Sequence, residues 1–329
     1  MSRNPYNLFT LFCLLLLAGS CFSNRITISV LEPAKLTLPA SIQRISIFPE
    51  PGLRSKPGVF DSISKIVLDE NADIREIKTG YLHGIYEILS TSPRFTKVVI
   101  ADTSTGKFNA NGILYWDDVE RICKHDTTDV LLILKKAVSY DAVELINSYW
   151  IDNIYYSYYK IVNNTKWVFY RPEDQTELAE FVVRDTVIAE GNLAPSEAEN
   201  LLYQTCYISG RNMGVTLCPH WNDRVERKFY SGPGTEMKSA ARHIRKNNWY
   251  EAALIWNRLA EGSNRMLASR SAYNLALAWE RDDELDQAFL WVVFADSLRN
   301  NPAVAAYRKT LDERLKAKLK LDEQMGQTD

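Results

Sequence analysis

From Ile42 to Phe48 the chain alternates, setting Ile42, Arg44 and Ser46 against Gln43, Ile45 and Ile47, with Phe48 extending the apolar end. A period of two predicts a first strand. Pro49, Pro51, Gly52, Pro57 and Gly58 then mark a long exposed loop. The period changes to that of a helix at Tyr81, Ile85, Ile88 and Leu89, flanked by Leu82 and Tyr86, and Ser92-Pro93 stops it. Lys97–Ala101 reads as a second strand, Asp117–His125 as a short helix, and Asp129–Leu134 as a strand whose continuous apolar run is buried on both faces. Strand, helix, strand, helix, strand predicts a parallel α/β core.

The pattern then turns antiparallel. Tyr155–Val162 and Thr165–Tyr170 flank Asn163-Asn164, a dipeptide suited to a two-residue type I′ turn, so a hairpin is expected there. In that register Tyr156 faces Arg171, Tyr158 faces Phe169 and Lys160 faces Trp167. Leu178–Ile188 supplies a third strand. The aromatic cluster around Tyr149, Trp150, Tyr156, Tyr158 and Trp167 is read as cross-strand packing, with a partner-binding face (Tyr156, Tyr158, Trp167, Arg171) as the alternative. Pro195, with Glu197 and Glu199, opens a helix whose Leu201, Leu202, Thr205 and Ile208 turn to the sheet. The expected fold class is α+β: a mixed α/β sandwich, with a parallel core and an antiparallel meander, followed by an all-α tail.

Ser231-Gly232-Pro233-Gly234 separates that tail. Beyond it Ala240, Trp249, Ala252 and Trp256 align with Ala276, Leu285, Ala288 and Val292 at an offset of 36 residues, close to the 34 of a tetratricopeptide repeat. Asn248 with Glu251, and Asp283 with Asp286, are placed as N-cap and third-residue pairs. Val304, Tyr307, Leu311, Leu315 and Leu319 form one stripe of a last, capping helix. A partner surface on the tail is expected from Trp249, Trp256, Tyr273, Trp279 and Trp291.

The N-terminus changes the picture most. Arg3, the apolar run Leu8–Leu17 and Ala18-Gly19-Ser20-Cys21 have the layout of a secretory signal that ends in a lipobox-like tripeptide. The run is shorter than the roughly 20 residues of a membrane span. Residues 1–20 are expected to be removed and Cys21 lipidated, leaving a tether over 21–41, an α/β domain over 42–230 and the helical domain over 235–329. Of 39 Lys and Arg against 41 Asp and Glu, only Arg3 lies in the removed segment, leaving 38 against 41. That balance excludes the basic footprint of a nucleic-acid binder. Cys123, Cys206 and Cys218 are too few for a disulfide framework, though Cys206 and Cys218 lie near enough in sequence to pair. Phe22-Ser23-Asn24-Arg25 lacks the acidic cluster of a surface-export tag, which favours an outer-membrane lipoprotein facing the periplasm.

No phosphate loop, nucleophile elbow or metal helix is present in the sequence, so no catalytic residue, metal or cofactor is expected. Asp117-Asp118 and Asp282-Asp283 are read as helix-end residues, and Asp61-Ser62-Ile63 only resembles a short O-glycosylation acceptor. Leu31-Glu32-Pro33-Ala34, Leu38-Pro39, Ile42–Ile47, Ser92–Phe95, Trp116, Asp129–Leu131, Trp221 and Arg227-Phe229-Tyr230, taken in order, resemble an uncharacterised envelope lipoprotein family of the Bacteroidetes. The resemblance implies no activity. The N-terminal half also looks like the α/β fold of periplasmic assembly proteins such as curli-secretion lipoproteins. The expected function is a membrane-anchored, non-enzymatic protein-interaction or envelope-assembly factor. The alternatives are a glycan-binding or hydrolytic module on the α/β domain and an oligomeric export-channel component.

Overall fold

The computed structural model describes residues 24–49, 70–102, 115–151, 154–190 and 195–326. Cys21 with the expected signal, the part of the expected Pro49–Gly58 loop beyond Pro49, and Asp61-Ser62-Ile63 lie outside these residues. In chain order the elements are β1 (Arg25–Glu32), β2 (Arg44–Pro49), α1 (Glu70–Thr91), β3 (Lys97–Ile100), α2 (Trp116–Asp126), β4 (Val130–Ile151), β5 (Ile154–Arg171), β6 (Thr176–Glu190), α3 (Pro195–Leu217) and β7 (His220–Lys228). Five helices follow: α4 (Thr235–Arg245), α5 (Trp249–Ala260), α6 (Arg265–Arg281), α7 (Leu285–Leu298) and α8 (Pro302–Met325). The fold is mixed α/β with a helical C-terminal region, as the residue pattern predicts.

Two compact units account for the chain: Met1–Val30 with Asn222–Lys316, and Leu31–Trp221 with Ala317–Asp329. The division near 221 precedes the expected boundary at Ser231–Gly234. The segment expected to be a tether is in part a strand, since β1 pairs with β7 in a two-stranded sheet.

In the α/β unit the five-stranded sheet has the order β3-β2-β4-β5-β6. β2 runs parallel to β3 (Ile45 opposite Val98) and to β4 (Ile45 opposite Val130), and β4, β5 and β6 continue antiparallel. The period of two divides the strands between two cores. Ile45, Ile47, Leu132, Leu134, Trp167 and Phe169 pack with Tyr81, Ile85 and Leu89 of α1 and with Leu202 and Cys206 of α3. Phe48, Leu131, Ile133, Val168 and Tyr170 pack with Val119, Ile122 and Cys123 of α2. Both faces of β4 are therefore buried at its start, which is why its apolar run is unbroken.

α1 and α3 touch backbone to backbone. Gly80 and Gly84 on α1 and Gly210 and Gly214 on α3 share a four-residue spacing, which stacks each pair on one face. A Cβ on Gly84 would stand 2.0 Å from the Tyr207 carbonyl oxygen, and one on Gly210 2.3 Å from that of Tyr81. Only residues without a Cβ allow this approach.

The hairpin expected at Asn163-Asn164 does not form. β5 runs straight through both residues, with Asn163 opposite Asp185 and Asn164 opposite Val138 and Arg184. Asn163 is fully buried, and its Nδ2 donates to Ser209 Oγ of α3 at 3.0 Å. A satisfied interior amide outweighs the turn preference of the dipeptide. The antiparallel partner is instead β4, which continues to Ile151 opposite Ile154. Tyr156 consequently faces Tyr149 rather than Arg171, their rings stacked 5.6 Å apart. Arg171 sits opposite Thr176 and forms an ion pair with Asp174. Cys206 and Cys218 are buried thiols that are not joined by a disulfide.

In the helical unit Ala240, Ala252, Trp256, Ala276, Leu285, Ala288 and Val292, seven of the eight aligned positions, are all buried. The turns between paired helices are copies of one another. Lys246, Asn247 and Asn248 amides donate to His243, Ile244 and His243 carbonyls; Asp282, Asp283 and Glu284 donate to Trp279, Glu280 and Trp279, each bond displaced by 36 residues. Asn247 and Asp283 hold the equivalent left-handed position, at φ 58° and 59°. The second N-cap is therefore Glu284, not Asp283, and neither Asn248 nor Glu284 makes a side-chain cap bond. Along α8 the expected stripe holds for Val304, Tyr307 and Leu311, which are buried, but Leu319 is 71% exposed. Gln324, in the α/β unit, instead clamps the chain near Ala34: its Oε1 accepts from the Ala34 amide at 2.9 Å and its Nε2 donates to the Ala34 carbonyl at 3.0 Å.

Candidate functional site

The helical unit brings α6 and its last helix, α8, against an extended segment of its own chain. Asn274 of α6 grips Tyr230 in both directions, accepting from its amide and donating to its carbonyl, each at 2.8 Å. Arg270 donates to the Gly232 carbonyl at 2.7 Å and its guanidinium lies over the Tyr230 ring. Phe229 is buried, and Tyr273 stands between Tyr230 and Tyr307, with ring centroids 5.0 and 4.8 Å away. The face on which a repeat of this kind would present a groove is occupied over Arg227–Gly232.

A buried ion cluster anchors that segment. The Glu280 side chain, at 0% exposure, accepts from Arg227 Nη2 at 2.7 Å and from its Nε at 2.9 and 3.2 Å, from Arg314 at 3.0 Å and from the Tyr307 hydroxyl at 2.7 Å. Burial alone would raise the carboxyl, but the hydrogen bonds and charge of Arg227, with Tyr307 and Arg314, hold it below the usual carboxylate range. Burial, aided by the Glu280 charge, pushes the Tyr307 phenol well above its ordinary value. Arg227, Arg314 and the Tyr307 hydroxyl all converge on this one carboxylate, which ties the segment at Arg227 to α6 and α8.

The tail residues expected to form a partner surface separate accordingly. Trp256 is fully buried and Tyr273 is 8% exposed, so both are core. Their large apolar rings fill the space between helices that the small alanines leave. Trp249 is half-buried under the Arg281 guanidinium, 4.8 Å from its centroid, in a cleft of about 610 Å³ lined by Asn247, Asn248, Tyr250 and Glu251. Trp279 is 39% exposed, and Trp291 is half-buried, edge-on to Phe294. Besides Trp279 on α6, exposed apolar residues of this unit lie on the second helices: Tyr250 and Leu254 of α5, and Leu290, Val293 and Phe294 of α7. Leu254 and Leu290 are equivalent at the 36-residue offset. Helical spacing at 250/254 and 290/293/294 carries this signal in the sequence, whereas tryptophan content by itself does not separate core from surface.

The alternative surface on the α/β unit also divides. Trp167 is fully buried, its indole nitrogen donating to Thr165 Oγ1 at 3.0 Å. Tyr156 and Tyr158 are half-buried in a stack on Tyr149, where Tyr158 donates to Glu190 at 2.8 Å. Arg171 lines a polar cleft of about 890 Å³ with Arg44, Lys124, Asp129 and Asp174. Two ion pairs, Arg44–Asp129 and Arg171–Asp174, occupy it, and the Cys123 thiol on its wall is pushed up to about 12 by burial and is therefore inert as a nucleophile. The cleft adjoins the starts of β2 and β4, whereas ligands of open parallel sheets gather at the carboxyl ends of strands. Among the described residues no group of three or more His, Cys, Asp and Glu is placed to hold a metal, and no helix is long and apolar enough to cross a membrane.

Comparison with known proteins places residues 53–230 in a family model described as a domain of unknown function (DUF8603), and residues 238–316 in another, DUF6340, described in the same words. No curated protein matches the chain. A neuraminyllactose-binding hemagglutinin homolog from Helicobacter pylori aligns over 56% of this chain and 87% of its own, at 9% identity and a TM-score of 0.28. The PelC dodecamer of Paraburkholderia phytofirmans aligns over 57% and 97%, at 9% identity and a TM-score of 0.22. Likenesses at these scores carry no functional argument.

Proposed function

The chain belongs to the family described as domain of unknown function DUF8603, and from that premise we propose that it is a lipid-anchored envelope protein that holds a protein partner through its helical tail. The observation that carries this reading is the placement of exposed apolar side chains in the tail. The inner face is filled by Arg227–Gly232, while Leu254 and Leu290 repeat on the outer face with Tyr250, Val293 and Phe294 beside them. Exposed apolar positions that recur with a repeat present one continuous stripe, which is how repeat proteins offer binding surfaces. The 36-residue repeat supports a tetratricopeptide-like reading of this unit. The signal layout ending at Cys21 supports anchoring, since three acyl chains at about 0.8 kcal/mol per buried methylene hold a protein to a bilayer almost irreversibly. Phe22-Ser23-Asn24-Arg25, which carries no acidic cluster, supports a body that faces the periplasm from the outer membrane.

Leu290→Asp together with Phe294→Asp should abolish recovery of a specific envelope protein with the tagged chain from detergent extracts, while Lys309→Asp, on an exposed polar position of α8, leaves recovery unchanged. Equal recovery from all three proteins overturns the outer-face reading. Cys21→Ser should shift the chain from the membrane to the soluble fraction and remove the mass of the acyl chains from its intact mass spectrum.

A further inference from the structure

Among the described residues β6 is the last strand on its side of the five-stranded sheet, and it is long for an edge: 15 residues, none of them proline. Native edges are kept short or are broken by bulges, charges or proline, because a bare row of N–H and C=O groups is a template for another strand. Two features bound the regular part of this edge. Tyr170 lies opposite Glu177 and Phe169 opposite Ala179, so Leu178 is an extra, bulged residue. At the other end the Thr186 amide donates to Asp185 Oδ1 at 2.9 Å, which takes it out of a further ladder. The run between them, Ala179–Asp185, has Val182 at its centre.

Val182 is 73% exposed. Glu180 and Arg184 share its face of the strand, two residues to either side. On the opposite face Phe181 and Val183 pack against the core beneath α1 and α3 but are only partly covered. A second copy laid antiparallel about Val182 sets Val182 opposite Val182, Glu180 opposite Arg184 and Phe181 opposite Val183. Opposite charges and aromatic–β-branched pairs are both favourable across strands. Glu180 meets Lys166 of β5 at 2.8 Å, and a carboxylate has lone pairs for a second cation on its far side.

Other registers fit less well. A two-fold axis through Glu180 or Arg184 sets like charges directly opposite each other. One through Phe181 or Val183 gives neither charge an opposite partner. The register that matches charge is also the one centred on the regular run.

We infer that β6 is a self-association site: two copies of the chain join antiparallel about a two-fold axis through Val182, making one continuous sheet. Such a contact uses the same patch on both copies and therefore closes at two. It involves neither the apolar stripe of the tail nor Cys21.

The test uses the full chain in mild detergent, so that anchoring at Cys21 does not enter. Its molar mass by light scattering, detergent subtracted, should rise with concentration to twice that of one chain and stop. Glu180→Arg and Arg184→Glu should each weaken this association about tenfold, because each sets two pairs of like charges opposite each other. Mixed together, the two variants should associate as wild type does, since every Arg then meets a Glu. Val182→Cys should form a disulfide-linked dimer on oxidation, as directly opposite strand residues lie within disulfide reach. Ile188→Cys, on the same face and 65% exposed, should not, because the two copies of that residue lie about 40 Å apart. The mass of one chain at every concentration overturns the proposal, as does growth beyond two copies. Failure of the mixed variants to associate, with circular dichroism like wild type, also overturns it, as does equal cross-linking at 182 and 188. Recovery of an envelope protein through Leu290 and Phe294 is read separately, so either reading can fail alone.

Discussion

Glu280 shows how one residue can decide the fate of a segment distant from it in sequence. It is buried with Arg227 and Arg314 around it, and removing its charge leaves two guanidinium groups facing each other with little water. Glu280→Gln should therefore cost about 3–5 kcal/mol, the range for breaking a buried ion pair by deleting one partner. Urea unfolding followed by near-ultraviolet dichroism measures this. The carboxyl lies below its unfolded value, so its contribution is present above that value and disappears as pH falls through the folded one. Stability of the wild type should decline below about pH 4, where unfolded glutamate begins to take up protons, and the variant should show a shallower decline. Asn274 acts in the same place with neutral chemistry. Asn274→Ala removes both bonds to Tyr230 and should cost about 1–3 kcal/mol, with faster hydrogen exchange at the Tyr230 amide as its local signature.

Among the elements, the α1–α3 pair is held by the absence of side chains. Gly84→Ala or Gly210→Ala sets a methyl group against a carbonyl oxygen of the facing helix at under 2.5 Å. Backbone cannot rotate away as a side chain can, so each should cost at least the 1–3 kcal/mol typical of overpacking. Thermal unfolding of the two single variants checks this, and the double variant should be less than additive because either methyl forces the same separation. The two glycine pairs are visible in the sequence as Gly-x-x-x-Gly, but their meaning depends on which helix each one meets. The Asn163-Asn164 dipeptide gives the opposite lesson. Its turn chemistry is real, yet Ser209 on α3 supplies a buried partner and the sheet continues through it. A long strand and a hairpin differ there by one tertiary hydrogen bond and by the partner strand available on the other side.

For the whole molecule, the tail presents its apolar stripe outward because its inward face is already taken. Replacing Arg227 by Ala should loosen the segment on α6 and α8 and raise proteolysis between Arg227 and Gly232, read by mass spectrometry of limited digests, while leaving the duplicated turns at Asn247 and Asp283 intact. The periodicities of the chain by themselves determined most of the helices, the parallel start of the sheet and the 36-residue duplication, because each depends on local spacing of apolar and small residues, whereas β1, β7 and the far half of β4 carry no such signal. Which tryptophans are core, where β5 turns, which face of the tail is open and which strand ends the sheet were decided only in three dimensions. Burial is a property of what a side chain meets, and Trp256 and Trp150 look equally suited to a surface until the neighbours of each are known.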